Sequence, residues 1–114
     1  MAAAANYAIS LINLKRFKEA KVLLRKTMPV ARRVLGEHHI LVFRMRKLCA
    51  EQLYRDPAAT LDDLREAVTT LEDVVRIARR VFGGSHTLVT QTEQALQNAR
   101  AALCVREASG KTTN

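Results

Sequence analysis

Apolar residues recur in this chain every three or four positions, and the same arrangement occurs twice, 47 residues apart. This spacing is typical of the buried face of an amphipathic helix. The chain is therefore predicted to contain a duplicated helical unit. The paired positions are Phe17, Ala20, Leu24, Met28, Ala31 and Val34 in the first unit, and Leu64, Ala67, Leu71, Val75, Ala78 and Val81 in the second.

The segment that follows each of these helices is also repeated. Val34-Leu35-Gly36 and Val81-Phe82-Gly83 are both followed by two further residues and a histidine. Gly36 and Gly83 stand where a helix ends on a residue with positive φ. Earlier in each unit, Tyr7-Ala8 and Leu11 match Cys49-Ala50 and Leu53 at an offset of 42. The change of offset predicts a five-residue insertion near Asp56–Thr60.

The pattern predicts five helices and a single all-α domain. Thr60 and Asp63 form a candidate capping box for the fourth helix, and Ser85 is the expected cap of the fifth. The predicted helices cover residues 2–14, 17–35, 39–55, 60–82 and 86–107. The domain is expected over 1–108, with units at 2–37 and 39–84, a capping helix at 86–107 and a flexible tail at 109–114.

A lone helical hairpin cannot bury both of its apolar faces, so consecutive hairpins stack and share a core. Such arrays need a polar terminal helix. The fifth helix carries Gln91, Glu93, Gln94 and Asn98 and is polar enough to close one end. No cap precedes the first unit, which predicts either a fragment of a longer array or self-association through the uncapped N-terminal repeat.

Composition and charge narrow the function classes. No apolar run reaches the roughly 18 residues that span a bilayer, and we expect neither a signal peptide nor a membrane span. Net charge is +8, with +9 on residues 1–55 and −1 on residues 56–114. Such a field attracts anionic partners without selecting among them.

No residue set indicates catalysis, a metal or a cofactor. The sequence lacks GxSxG, Walker and GxGxxG motifs, so a non-enzymatic protein is expected. His39 and His86 have no metal-ligand spacing and are interpreted as residues with a cap or packing role. Cys49 and Cys104 are interpreted as two small core residues in a reducing compartment, which favours a cytoplasmic location.

The repeated unit resembles the tetratricopeptide repeat, in the long-helix form of kinesin light chains. The first unit carries Asn6-Tyr7-Ala8, Leu11, Phe17-Lys18-Glu19-Ala20 and Leu35-Gly36-Glu37-His38-His39. The stretch Leu61-Asp62-Asp63-Leu64-Arg65-Glu66-Ala67 is similar to insertions in large algal families of such proteins. Two features depart from the family pattern: Lys15-Arg16 replaces the usual Gly and its neighbour, and Ile40 and Thr87 replace the proline after each histidine.

The resemblance implies a right-handed superhelical array of antiparallel helix pairs, about two hairpins plus a C-terminal capping helix. It also implies a concave peptide-binding groove lined by the first helix of each hairpin. Asn6 matches the family's groove asparagine. Arg44, Lys47 and Arg55 follow helical spacing as either a basic stripe or an ordinary solvated face. The expected groove residues are Asn6, Ile9, Asn13, Arg44, Lys47, Glu51, Arg55, Gln91, Gln94 and Asn98.

These observations predict an interaction scaffold that binds a peptide or helix of a protein partner in the concave groove, with acidic partners favoured by the charge. The alternative is a nucleic-acid-binding helical repeat that uses the basic N-terminal half, suggested by the pI near 10.2. The lack of aromatic platforms for base stacking weighs against that alternative.

Overall fold

The computed structural model describes residues 2–112, which form five α-helices and, within that range, no strand. The predicted all-α repeat fold is confirmed, and each helix begins within one residue of its predicted start. The array measures 48 × 30 × 21 Å. The helices are α1 (Ala2–Asn13), α2 (Phe17–Leu35), α3 (Ile40–Arg55), α4 (Leu61–Phe82) and α5 (Thr87–Thr112).

The helices form two layers. Each helix contacts the next along the chain, and α3 also contacts both α1 and α5, whereas no Cα atom of α2 lies within 8 Å of a Cα atom of α4 in the described range. The first helices of the units, α1, α3 and α5, therefore form one side of the array. The second helices, α2 and α4, form the other side.

Helix α3 is the shared element of the core because it buries residues toward both neighbours. Met45 and Leu48 pack with the apolar residues of α1 and α2. Ala50 and Leu53 pack with Leu71 of α4 and further residues of α5. The two hairpins are therefore joined by continuous burial of apolar surface, which is the main favourable term in such an array.

The two repeated turns have the same backbone geometry. Gly36 and Gly83 both have φ of 91°, a region that favours glycine. The Gly36 N–H donates to the carbonyl of Arg32 at 3.0 Å, and the Gly83 N–H donates to the carbonyl of Arg79 at 2.9 Å. The two turns, 47 residues apart, thus share one backbone geometry, as the repeated sequence predicts.

Side chains cap three of the helices. Thr60 and Asp63 form the predicted capping box, with both of its hydrogen bonds at 3.1 Å. Nδ1 of His39 accepts from the Leu41 N–H at 3.1 Å. Nδ1 of His86 accepts from the Leu88 N–H at the same distance.

The expected cap at Ser85 is therefore wrong. Helix α5 begins at Thr87, one residue later than predicted. The residue directly before it is His86, and its imidazole accepts the bond that a serine hydroxyl would otherwise accept.

Helix α5 packs on α4 and α3. It is tied to α4 by ion pairs, with Arg79 and Glu93 at 3.0 Å and Arg100 and Glu72 at 2.9 Å. The helix continues to Thr112, beyond the predicted end at residue 107. Met1, at the start of the expected domain, lies outside the described part of the chain. Residues 113–114 of the expected tail at 109–114 also lie outside it.

Candidate functional site

A groove of about 560 Å³ lies between α3 and α5 on the side formed by the first helices. Six of the ten residues predicted from the sequence line it, together with Tyr54 and Ala95. The six are Lys47, Glu51, Arg55, Gln91, Gln94 and Asn98. They meet because positions 47, 51 and 55 share one face of α3, and positions 91, 94 and 98 share the opposing face of α5.

The charges on the α3 wall are partly neutralised. Lys47 Nζ lies 2.6 Å from Glu51 Oε1, and the two side chains are only 20% and 16% exposed. Arg55 is exposed and makes no ion pair with any described residue. The lining therefore carries one more positive than negative side chain, and Arg55 is the cation available to a ligand.

The α5 wall offers uncharged hydrogen-bonding groups. Gln91, Gln94 and Asn98 are all exposed, and the Gln94 amide donates to Asn98 Oδ1 at 3.2 Å. A side-chain amide carries both donors and an acceptor, as does a peptide backbone. This wall can therefore bond to an extended chain whatever side chains that chain carries.

Tyr54 is a groove residue that the sequence analysis missed. Its ring is partly buried between the two walls, and desolvation by burial raises the pKa of its hydroxyl. The nearby Glu51 carboxylate acts in the same direction, while Asn98 and Arg55 oppose it. Tyr54 follows Lys47 by seven residues, so helical spacing alone would have placed it on the same face.

The other four predicted residues do not line this groove. Asn6, Ile9 and Asn13 are exposed on α1, at the far side of α3 from α5. Arg44 is exposed on α3, one turn before Lys47, and lies outside the lining. The structure thus brings together the residues of α3 and α5 and leaves those of α1 apart.

A second hollow, which we call the end pocket, adjoins the groove at the C-terminal end of α3. Its volume is about 380 Å³, and Tyr54 and Arg55 line both spaces. Its walls come from the insertion at residues 56–60 and from the last turns of α5. The apolar part of its lining includes Pro57, Leu64, Ala101, Ala102 and Val105.

Other kinds of site find no support among the described residues. No three His, Cys, Asp or Glu side chains there are grouped as metal ligands. None of the described helices combines the length and apolar character needed to cross a bilayer. Both cysteines are free. Cys49 is partly buried, whereas Cys104 is exposed, so the interpretation of Cys104 as a core residue is wrong.

The two-layer array of antiparallel helix pairs and the open groove define the chain as a helical-repeat protein. Residues 1–41 match the family model described as Tetratricopeptide repeat. The match supports a tetratricopeptide repeat over residues 1–41, as the sequence motifs indicated, and the long-helix, kinesin-light-chain-like type is consistent with this family. Comparisons with curated proteins and with solved structures gave no match.

The repeat family itself has a general role. Tetratricopeptide repeats mediate protein–protein interaction and are non-enzymatic scaffolds. The fold alone does not identify a ligand, because function depends on the residues of the site.

Proposed function

We propose that this protein is a non-enzymatic scaffold that binds an acidic peptide, in extended form, in the groove between α3 and α5. The observation that carries the proposal is the shape and lining of that groove: one wall of amides, one wall with an exposed arginine, and a tyrosine between them. The amides would bond to the peptide backbone, and Arg55 would pair with a carboxylate. Charge-assisted hydrogen bonds to a carboxylate are among the stronger polar contacts a surface can offer.

Arg55→Glu is the direct test of this proposal, and Arg80→Glu is its matched control. Both arginines are exposed and make no ion pair with any described residue, but Arg80 lies on α4, outside the groove. The probe is an array of short acetylated and amidated peptides in which Asp and Glu positions are varied. Wild type and Arg80→Glu should select the same acidic peptides, and Arg55→Glu should bind them about tenfold more weakly or worse. Equal binding by all three proteins would show that the acidic peptide does not bind in this groove.

A nucleic-acid-binding role is the second candidate, and the basic character of α2 favours it. Helix α2 carries six Lys or Arg residues and one Glu. Lys18, Arg25, Lys26 and Arg33 are exposed and make no ion pair with any described residue. A labelled oligo-dT or oligo-U strand is the probe for this role. Affinity that begins below micromolar and falls steeply with salt would favour nucleic acid over peptide.

We further propose that two copies associate through the open face of α1. Met45 and Cys49 of α3 pack against the first hairpin. Their counterparts 42 residues earlier are Ala3 and Tyr7, which are exposed, Tyr7 to 56%. This face of α3 is thus covered by the first hairpin, whereas the corresponding face of α1 is exposed. Sedimentation over a range of protein concentrations tests this, and a monomer throughout would refute it.

The free cysteines support one further proposal, a cytoplasmic location. A reducing compartment keeps such thiols unpaired. Fractionation of cells that express the tagged protein would test this location.

A further inference from the structure

The end pocket is a feature that the repeat pattern does not supply. It exists because the insertion at residues 56–60 lengthens the turn between α3 and α4, and because α5 continues far enough to reach that turn. The corresponding turn between α1 and α2 is shorter and spans only residues 14–16.

The wall formed by the insertion is held in place by hydrogen bonds. Arg106 of α5 donates from Nη1 to the carbonyl of Ala59 at 2.6 Å and from Nη2 to the carbonyl of Pro57 at 3.4 Å. Within the insertion, Asp56 Oδ1 accepts from the N–H of Ala58 at 2.9 Å. The pocket is thus largely preformed, which reduces the ordering cost when a ligand enters it.

The lining of the pocket is apolar where the groove is polar. Leu64 is only 3% exposed and closes the inner side, while Val105 is 67% exposed at the mouth. Its volume of about 380 Å³ lies at the lower end of the range for ligand pockets, about 300–1,000 Å³. This is room for one large side chain and the backbone beside it.

Two arginines set the charge at this end. Arg55 lines both the groove and the pocket, and the guanidinium of Arg106 stands in the insertion wall. Asp56 is the single acidic residue of the lining. A ligand that enters here is thus favoured if it carries negative charge close to its apolar group.

From this continuity and charge we infer that the end pocket receives an apolar side chain of the same acidic peptide that lies in the groove. The inference rests on the proposed peptide-binding function and adds a specificity to it. The preferred ligand has a large apolar residue, such as Leu, Ile, Met or Phe, beside an acidic residue that pairs with Arg55. Burial of that side chain supplies affinity, and the carboxylate fixes the position of the peptide.

The test uses the full chain and a pair of matched variants. Ala101→Leu fills the pocket, and Ala108→Leu makes the same change at another exposed position of α5, outside the lining. Neither variant alters charge, and both substitute one good helix former for another. The probe is a positional-scanning library of acetylated and amidated peptides with one fixed Glu and the neighbouring positions varied. Helical content and unfolding of both variants are measured by circular dichroism.

Wild type and Ala108→Leu should select a large apolar residue next to the Glu, by about tenfold over Ser at that position. Ala101→Leu should lose this preference and keep the preference for Glu. If wild type selects Glu without an apolar neighbour, the end-pocket assignment is wrong and the groove proposal stands. If no acidic peptide is selected at all, both proposals fail.

A second copy of the chain is the competing occupant of the pocket. Light scattering on the same three proteins decides this. If Ala101→Leu changes the oligomeric state while peptide selection is unaffected, the pocket is an interface between copies and the inference is overturned.

Discussion

Cys49 provides a quantitative test of how α2 packs on α3. The residue is partly buried against the first-hairpin core. Desolvation by burial raises the pKa of its thiol from 9.0 to about 11, and the nearby guanidinium of Arg32 only partly opposes this. The thiolate, not the thiol, is the nucleophile in alkylation. At neutral to mildly alkaline pH, a shift from 9.0 to about 11 leaves about a hundredfold less thiolate on Cys49 than on an unperturbed cysteine.

The experiment measures the rate at which iodoacetamide modifies Cys49 in a Cys104→Ser variant. Intact mass reports the reaction in the native protein and in urea. The native rate should be at least about a hundredfold lower below pH 9, and it should keep rising with pH toward about 11. In urea it should level off near 9, the ordinary value of the thiol. The reciprocal Cys49→Ser variant, which retains the exposed Cys104, controls for the effect of urea on the reagent.

The same shift makes stability depend on pH, and its sign can be worked out. The folded state holds the thiol proton more tightly than the unfolded chain does, so this contribution is fully present below pH 9. It is lost as the pH rises toward about 11. A native rate profile that levels off near 9 would show that Cys49 is solvated, and that α2 and α3 pack differently from the structure described above.

Two further predictions concern the turns and caps. Lys15 has φ of 61°, so Lys15→Gly should raise the free energy of unfolding by up to about 1 kcal/mol. The control Lys18→Gly, inside α2, should lower the free energy of unfolding by a similar amount. Urea denaturation measures both changes. His39→Ala and His86→Ala should each cost about 1 kcal/mol, because each removes the acceptor of a helix N-cap, whereas His→Asn at either position should retain most of the stability. Thermal unfolding that does not distinguish Ala from Asn would contradict this role for the histidines.

The helices could be predicted from the sequence because the information that fixes them is local. Apolar spacing, the glycines at the turns and the Thr60–Asp63 box each act within a few residues. The position of Lys15 is informative in the same way. It stands where the family has glycine, and the structure gives it a positive φ, so the backbone retains the turn although the residue has changed.

The groove could be predicted only in part because it depends on distances between helices. Residues 47, 51 and 55 were assigned correctly to one face, since α3 is regular along its length. The end pocket could not be found in this way. It depends on Arg106 bonding to Ala59, 47 residues earlier in the chain, and no periodic pattern encodes that contact.

The core residues are repeated between the two units, but the groove residues are not. This difference bears on the class of ligand. Lys47 and Glu51 of α3 correspond to Gln94 and Asn98 of α5, at the same offset of 47 that separates the two capping histidines. All four line the groove. A ligand with a uniform backbone charge, such as nucleic acid, is best matched by the same side chains at equivalent positions of each unit. A groove that offers a charged pair on one helix and amides on the next instead fits a chain whose successive side chains differ. This argues for a peptide, and it predicts that reversing the sequence of a bound peptide would abolish its binding.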